Sequence, residues 1–221
     1  MTRIYVPRPH QEPMHAHLAK MPRKAVYSGC GAGKTVVVAT HVAESLFDRL
    51  ETERWLIVAP KSVAEDTWQR EFGKWEHLAY LKPRLLTFED LDLQRVIVNG
   101  RPGGLEFRNK RDTKKLIRVR REPIQICDYG MLQWVVKACG VNFPYDGVVF
   151  DESGFLRSAD SLRWRAAKHA VNKLHVVNQV VELDGTPLPA RYENLMAPFM
   201  AAGGGFAIKR TNRSDRKSTR L

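Results

Sequence analysis

The chain of 221 residues contains only three cysteines, and their positions argue against two ways of stabilising a small fold. Cys30, Cys127 and Cys139 include no CxxC pair and cannot all be paired in disulfides. Neither a cysteine-rich metal site nor a disulfide framework is therefore expected. Unpaired thiols of this kind are typical of proteins in a reducing compartment, so we expect a cytoplasmic protein.

Long apolar runs are also missing, so no membrane partner is expected. No run reaches the roughly 18 apolar residues that a membrane-spanning helix needs. The first ten residues, 1–10, do not have the pattern of a signal peptide. Hydrophobic residues make up 43% of the chain and charged residues 27%, which is ordinary for a globular protein with one domain or two small ones.

Acidic residues are fewer than basic residues, and the excess of basic residues is confined to two segments. The net charge is +12, of which 108–121 contributes +7 and 208–221 contributes +5. The rest of the chain is therefore formally neutral, which predicts a neutral body with two basic appendages. The bases of the first segment are Arg108, Lys110, Arg111, Lys114, Lys115, Arg118, Arg120 and Arg121.

A glycine-rich segment, Tyr27–Thr35, lies between a β-prone run, Lys24–Tyr27, and a run with helical apolar spacing, Val36–Phe47. Strand, glycine loop, Lys-Thr and helix is the order of a phosphate-binding loop. In such a loop the backbone N–H groups and the helix N-terminus face a phosphate. Lys34 would reach the β- and γ-phosphates, and the Thr35 hydroxyl would hold Mg²⁺. The alternative is a glycine-rich turn that binds nothing.

Two carboxylates end a later predicted strand, Tyr145–Glu152. Beside a phosphate loop, Asp151 would orient Mg²⁺ through its water shell and Glu152 would polarise the attacking water. An isolated Asp-Glu pair is more commonly a polar strand end. The prediction therefore depends on order, because the acids follow the loop by about 115 residues.

The other apolar patterns predict alternating helices and strands. Glu12–Lys20 is predicted to be a helix, and Trp55–Pro60 a strand buried on both faces. Trp68, Phe72 and Trp75 have helical spacing, and we interpret this aromatic stripe as core packing in preference to base stacking. With further strands at Leu81–Leu86, Ile124–Tyr129 and Val176–Leu183, the pattern predicts an α/β fold of three layers around a mostly parallel sheet.

Residues 95–122 interrupt this alternation. Val96–Val98 and Leu116–Val119 are predicted to pair as a hairpin around the turn-forming segment Asn99–Gly104. The basic residues of 108–121 would then offer a surface to nucleic-acid phosphates. The alternative is a solvated loop without a partner.

Five segments resemble, in order, the motifs of the first RecA-like lobe of superfamily 2 helicases and translocases, in particular the Swi/Snf-related type of phages and bacteria. They are Arg8–Gln11 (the glutamine motif), Ser28–Thr35 (the phosphate loop), Ile57–Lys61 with Trp68 and Glu71–Trp75 (a segment that begins a DNA-backbone contact in the family), Phe150–Ser153 (the DExx box) and Asp184–Pro187 (the GTP coupling motif).

The resemblance implies a P-loop NTPase lobe, spanning 1–208, that uses ATP and Mg²⁺ to move on nucleic acid, DNA in preference to RNA. It implies catalytic roles for Lys34, Asp151 and Glu152, and a metal site at Thr35 and Asp151. It places the nucleotide against Gln11, Gly29, Cys30, Gly31, Ala32, Gly33, Lys34 and Thr35. It assigns coupling to Gly185, Thr186 and Pro187, and nucleic-acid contact to Lys61 and the bases of 108–121.

The chain departs from the family at Ser28, where the usual first glycine of the loop is replaced, and at Gly154, which lacks the side chain that many relatives use for coupling. The family's second lobe carries an arginine finger worth about 10³–10⁵ in turnover. We therefore expect a chain without it to bind ATP·Mg²⁺ but to hydrolyse ATP very slowly and unwind nothing.

The tail 209–221 is expected to be disordered. Asp215–Leu221 resembles a translated sequencing adapter, which predicts that the native protein was cut near 208–214; the alternative is a real basic tail. Two other functions are compatible with the motifs: a phage DNA-packaging motor ATPase of the terminase type, or a nucleic-acid-binding module without turnover.

Overall fold

The structure, a computed structural model, describes residues 2–91, 93–98, 101–107, 122–158, 160–173 and 177–185. Several predictions concern positions outside these residues. They are the basic segment 108–121, the coupling residues Thr186 and Pro187, and the tail 209–221.

The described strands are β1 (Arg23–Tyr27), β2 (Trp55–Ala59), β3 (Arg84–Leu85), β4 (Leu93–Val98), β5 (Arg101–Phe107), β6 (Ile124–Asp128), β7 (Gly147–Asp151) and β8 (Gln179–Asp184). Within the described residues, six of them form one parallel sheet in the order β1-β8-β7-β2-β6-β3. All five residues of β2 are buried, as the continuous apolar run predicts for a strand covered on both faces.

Five described α-helices cover the two faces of this sheet. They are α1 (Glu12–Lys20), α2 (Lys34–Phe47), α3 (Trp68–Lys74), α4 (Tyr129–Cys139) and α5 (Leu162–Lys173). A π-helical segment, Val63–Thr67, leads directly into α3, and a short 3-10 segment, Ser153–Leu156, follows β7.

Two separate apolar cores show which helices lie on which face. Trp55 and Ile57 belong to the core that contains α1, α2 and α3, whereas Leu56 and Val58 belong to the core that contains α4 and α5. Successive side chains of a strand point to opposite faces, so this alternation places α1–α3 in one layer and α4–α5 in the other. The predicted three-layer α/β fold is confirmed.

The helix predictions hold with small differences. Glu12–Lys20 is helical as predicted, and α2 begins two residues earlier than its apolar spacing suggested. Phe47, which belongs to the predicted apolar stripe of α2, is 47% exposed. The predicted strand Leu81–Leu86 is reduced to the two residues of β3, which pair with β6.

The predicted turn Asn99–Gly104 is wrong, because Arg101–Gly104 belongs to β5, which pairs antiparallel with β4. Leu116–Val119, the partner that was predicted, lies outside the described residues. The sequence Arg101–Gly104 has turn chemistry, yet it is the start of β5. A proline is compatible with this strand because, within the described ranges, β4 and β5 form a sheet of two strands, in which each strand is an edge.

Two further observations concern membranes and thiols. None of the described helices is long and apolar enough to cross a membrane. Cys30, Cys127 and Cys139 are all free cysteines.

Candidate functional site

The predicted phosphate loop joins β1 to α2, and its glycines have the geometry that a phosphate cradle needs. Gly31 and Gly33 have φ values of 78° and 74°, in the left-handed region that favours glycine. The Lys34 ammonium donates to the Ser28 carbonyl at 2.6 Å and to the Gly29 carbonyl at 3.0 Å. The lysine therefore folds back over the loop, and Ser28 takes part through its backbone.

Gln11 supports this loop directly. Its side-chain nitrogen donates to the Ala32 carbonyl at 3.2 Å and to the Gly33 carbonyl at 3.4 Å. Its side-chain oxygen accepts from the Arg8 N–H and from the Tyr5 hydroxyl. The residue is only 4% exposed, and a Cβ on Gly33 would collide with its amide. Gln11 therefore connects the N-terminal segment to the loop, and its role as an adenine reader stays a prediction.

Asp151 is the last residue of β7 and is 8% exposed. One carboxylate oxygen accepts the Glu152 N–H at 3.0 Å, and the other accepts the Trp68 indole N–H at 2.9 Å. Burial raises the pKa of Asp151 to about 6, and neighbouring Glu152 adds to this rise, while the Trp68 hydrogen bond and the Lys34 charge act against it. The carboxylate is thus fixed by two donors.

Trp68 is a site residue that the sequence reasoning missed. Its ring is fully buried, so the core interpretation of the aromatic stripe is correct for packing. The indole N–H nevertheless reaches Asp151 across 83 positions of sequence. One sequence signal could have predicted this hydrogen bond, namely the choice of Trp at a position that we assigned to a DNA-contact motif. Phe or Leu would pack equally well there but offers no hydrogen-bond donor.

Glu152 has a left-handed backbone, with φ 52° and ψ 56°. For a residue with a Cβ this conformation costs about 1 kcal/mol. Backbone strain of this kind is concentrated at functional sites, where it re-aims a side chain. Here it ends β7 and starts the 3-10 segment, and both Asp151 and Glu152 line the same cavity.

The loop and the acids line a single cavity of about 520 Å³. Of the residues predicted to bind nucleotide or metal, it brings together Gln11, Cys30, Gly31, Gly33, Lys34, Thr35, Asp151 and Glu152. Tyr5, Arg8, Lys74 and Trp75 also line it, and of these four only Tyr5 lies outside the motif segments named above. The cavity therefore extends from the phosphate loop to the N-terminal segment and α3.

The donors in this cavity suit Mg²⁺. A threonine hydroxyl and carboxylates are hard oxygen ligands, and Mg²⁺ typically takes one or two carboxylates together with phosphates and waters. Among the described residues, no group of three or more His, Cys, Asp and Glu side chains is arranged to hold a metal ion.

The end of β8 touches both halves of the site. The Asp184 carbonyl accepts the Ser28 N–H at 3.3 Å, and its carboxylate accepts the Gly154 N–H at 3.0 Å. Arg157 lies 3.5 Å from the same carboxylate. Gly185 follows at once, and a Cβ there would lie 3.1 Å from the Cys30 sulfur. The segment after the acids is therefore tied to β8 through the Gly154 backbone, although Gly154 has no side chain.

Lys61 follows β2, at the same edge of the parallel sheet as the ends of β7 and β8. Its side chain is 75% exposed and lies 3.8 Å from Glu65. An exposed ion pair of this kind contributes little to stability, so the lysine can readily exchange Glu65 for another anion. Nucleic-acid contact by Lys61 stays a prediction.

No protein-family profile matches the chain. Protein p41 of Acyrthosiphon pisum secondary endosymbiont phage 1 is 27% identical over 211 residues, which cover 95% of this chain and 42% of p41. The chain thus spans less than half the length of this curated relative.

Three solved structures have a similar fold. The Sulfolobus solfataricus SWI2/SNF2 ATPase core in complex with dsDNA has a TM-score of 0.62 at 18% identity, covering 91% of this chain and 36% of that one. The UvsW helicase from bacteriophage T4 has a TM-score of 0.56 at 11% identity, covering 89% and 58%. The Pyrococcus furiosus Hef helicase domain has a TM-score of 0.58 at 16% identity, covering 89% and 36%.

These likenesses show that the chain shares its fold with the SWI2/SNF2 ATPase core and with the two helicases, and the predicted RecA-like fold class is confirmed. They do not favour the alternatives of a packaging-motor ATPase or a binding module without turnover.

Proposed function

We propose that the chain is the ATP-binding lobe of a nucleic-acid-dependent ATPase of helicase or translocase type, and that full turnover requires a second lobe. The observation that carries the proposal is the single cavity lined by the Lys34–Thr35 end of the phosphate loop and by Asp151 and Glu152. The helicase-like fold and a relative encoded by a phage support a phage or bacterial enzyme of this kind.

Each residue of the cavity has a role that follows from its chemistry. Lys34 would neutralise phosphate charge, and Thr35 and Asp151 would hold Mg²⁺, which stabilises charge on the phosphates when it is bound. Glu152 would orient and polarise the attacking water. The Trp68 N–H would keep the Asp151 carboxylate aimed at the metal.

The remaining assignments concern the edges of the cavity. Gln11 would lie beside the adenine, and Gly185, Thr186 and Pro187 would respond to the γ-phosphate. Lys61 and the basic segment 108–121 would meet the nucleic acid, for which we propose DNA in preference to RNA. We infer that the native protein continues into a second lobe with the arginine finger.

Lys34→Ala tests the nucleotide site. A hydrogen bond to a charged group is worth about 1.5–3 kcal/mol, so we expect ATP·Mg²⁺ affinity to fall about ten- to a hundredfold. Titration with a fluorescent ATP analogue measures the affinity directly. It does not require ATP hydrolysis, which we expect to be slow without the second lobe.

Lys20→Ala is the matched control, because Lys20 is an exposed lysine in the last turn of α1. It should leave the affinity unchanged. Equal affinity of the Lys34→Ala variant and the wild-type chain would exclude the proposed site.

A further inference from the structure

The two helix layers differ in charge. The layer of α1, α2, the π-helical segment and α3 holds five acidic and four basic residues, which nearly cancel. In the other layer, α4 and α5 contain no aspartate or glutamate at all. The two helices are therefore a third basic part of the chain, besides 108–121 and 208–221. The net charge of the whole chain does not reveal it, because acidic residues elsewhere offset it.

Four cations of the α4–α5 layer form what we call the basic α4–α5 surface: Lys137, Arg163, Arg165 and Lys168. Lys137, Arg163 and Arg165 are exposed and Lys168 is half-buried. Within the described part of the chain, no ion pair involves any of the four. Asp160 precedes α5 and Asp128 caps α4, so cations outnumber acids in this layer, and such an excess attracts a polyanion.

Aromatic rings hold three of these cations in place. The Lys137 ammonium lies 4.6 Å from the Trp134 ring centre, and that of Lys168 lies 4.7 Å from the Trp164 ring centre. The Arg163 guanidinium lies 5.6 Å from the Phe155 ring centre. A cation held over a ring loses less side-chain entropy when it binds a ligand, so the surface is partly pre-organised.

A chain of contacts links this surface to the end of β7. The Phe155 ring stacks on the Tyr129 ring at 5.3 Å with an angle of 7° between their planes. The Tyr129 hydroxyl in turn donates to the Asp151 backbone carbonyl at 2.9 Å. Arg163 is therefore connected through two packed rings to the backbone of Asp151.

We propose that the basic α4–α5 surface binds the phosphate backbone of a nucleic acid. A line of phosphates matches a surface on which cations outnumber acids, and each neutralised phosphate releases counterions. The proposal rests on the nucleic-acid dependence proposed above, and adds a contact distinct from Lys61 and 108–121.

The test is the salt dependence of DNA binding by the double variant Arg163→Glu/Arg165→Glu. Affinity for a short labelled duplex is measured without ATP at a series of NaCl concentrations. Each lost phosphate contact lowers the slope of log affinity against log salt by about 1, so we expect the slope to fall by about 2.

Lys20→Glu/Arg70→Glu is the matched control, because it changes the net charge equally but lies in the α1–α3 layer. Its slope should stay close to that of the wild-type chain. Far-UV circular dichroism and ATP-analogue affinity check that both variants are folded. If the glutamates unfold the chain, Arg163→Gln/Arg165→Gln is expected to give the same reduction in slope.

An unchanged slope in the α5 variants would overturn the proposal, as would equal reductions in the variants of both layers. Those results leave the proposed function intact as long as the wild-type chain binds DNA. Failure of the wild-type chain to bind the duplex would instead contradict the nucleic-acid dependence itself.

Discussion

The carboxylate of Asp151 is buried and is held by two hydrogen-bond donors. Burial favours its neutral form, and the donors Trp68 and Glu152 N–H favour its charged form. The indole is the more informative of the two, because a backbone N–H is supplied by almost any residue. At the scale of single residues, Trp68 therefore positions the Asp151 carboxylate, for which we propose a role in holding Mg²⁺.

Trp68→Phe should keep the packing and remove the donor. We expect the Mg²⁺ concentration for half-maximal nucleotide binding to rise by up to about tenfold, which corresponds to about 1.4 kcal/mol. The measurement is ATP-analogue binding across a Mg²⁺ series.

Trp55→Phe is its control, since the Trp55 indole is equally buried but donates to the Thr52 hydroxyl at 2.7 Å. If both variants shift the Mg²⁺ requirement equally, the effect belongs to core stability and not to Asp151.

A second buried acid, Glu182, lies in β8 beside β1. It is 1% exposed, and it accepts the Tyr27 hydroxyl at 3.1 Å through one oxygen. Its other oxygen has no hydrogen-bond partner among the described residues. Burial raises the pKa of Glu182 to about 7, against the lowering effect of the Tyr27 hydrogen bond and with a smaller rise from Asp184. The folded chain therefore holds this proton well above the pH at which an unfolded chain releases it.

Glu182→Gln should remove a pH dependence of stability. Because the folded pKa exceeds the unfolded value of about 4.5, the stability that the protonated acid provides is complete below about pH 4.5 and is lost as pH rises to about 7. One pKa unit corresponds to about 1.4 kcal/mol. The free energy of unfolding of the variant should therefore exceed that of the wild-type chain by about 3 kcal/mol at pH 8 and equal it near pH 4.5.

Urea unfolding at several pH values gives this difference. Glu76→Gln, at an exposed glutamate, is expected to show no such trend. If the difference in the free energy of unfolding between the Glu182→Gln variant and the wild-type chain did not change with pH, the assignment of the proton to Glu182 would be contradicted.

At the scale of elements, the end of β8 works as a junction. Asp184 holds the phosphate loop through its carbonyl and the segment after β7 through its carboxylate. Gly154 makes room for this arrangement, because a Cβ there would lie 2.8 Å from the Arg157 guanidinium. The residue that lacks a coupling side chain is thus the residue that lets Arg157 approach Asp184.

Gly154→Ala should push Arg157 away from Asp184. Arg157 is partly exposed, so the ion pair is worth about 1 kcal/mol. Arg157→Met should therefore destabilise the wild-type chain by about that amount and the Gly154→Ala chain by clearly less. A double-mutant cycle of urea unfolding measures the difference, and equal costs in both backgrounds would show that the two sites are independent.

Most of the elements that carry the candidate site are predictable from the sequence. The phosphate loop, β2 and β7 have local signals: left-handed glycines, a continuous apolar run, and acids at a strand end. Because parallel strands end at one edge of a sheet, the order of these signals was enough to bring Lys34 and Asp151 together.

The remaining features depend on distant partners. The pairing of β4 with β5 was mispredicted because Pro and Gly residues that normally make turns are tolerated in a strand of a two-stranded sheet. The Trp68–Asp151 and Asp184–Gly154 hydrogen bonds join residues 83 and 30 positions apart, so no local pattern encodes them.

At the scale of the whole molecule, one parallel sheet gathers the loop, the acids and Lys61 at a single edge. The cavity that results is built from residues contributed by the N-terminal segment, α2, α3 and β7. Local changes in any of these elements therefore alter the same site, which makes the lobe a single functional unit.

The unequal charge of the two helix layers also gives the lobe a permanent polarity across its sheet. The electrostatic field of a polyanion rotates such a lobe before contact, so that in most collisions the basic α4–α5 side meets the polyanion first. A body that meets a polyanion with one side forward loses fewer encounters to wrong orientations, so its association is faster. That orienting torque weakens as added salt shortens the range of the field, about 10 Å at 0.1 M.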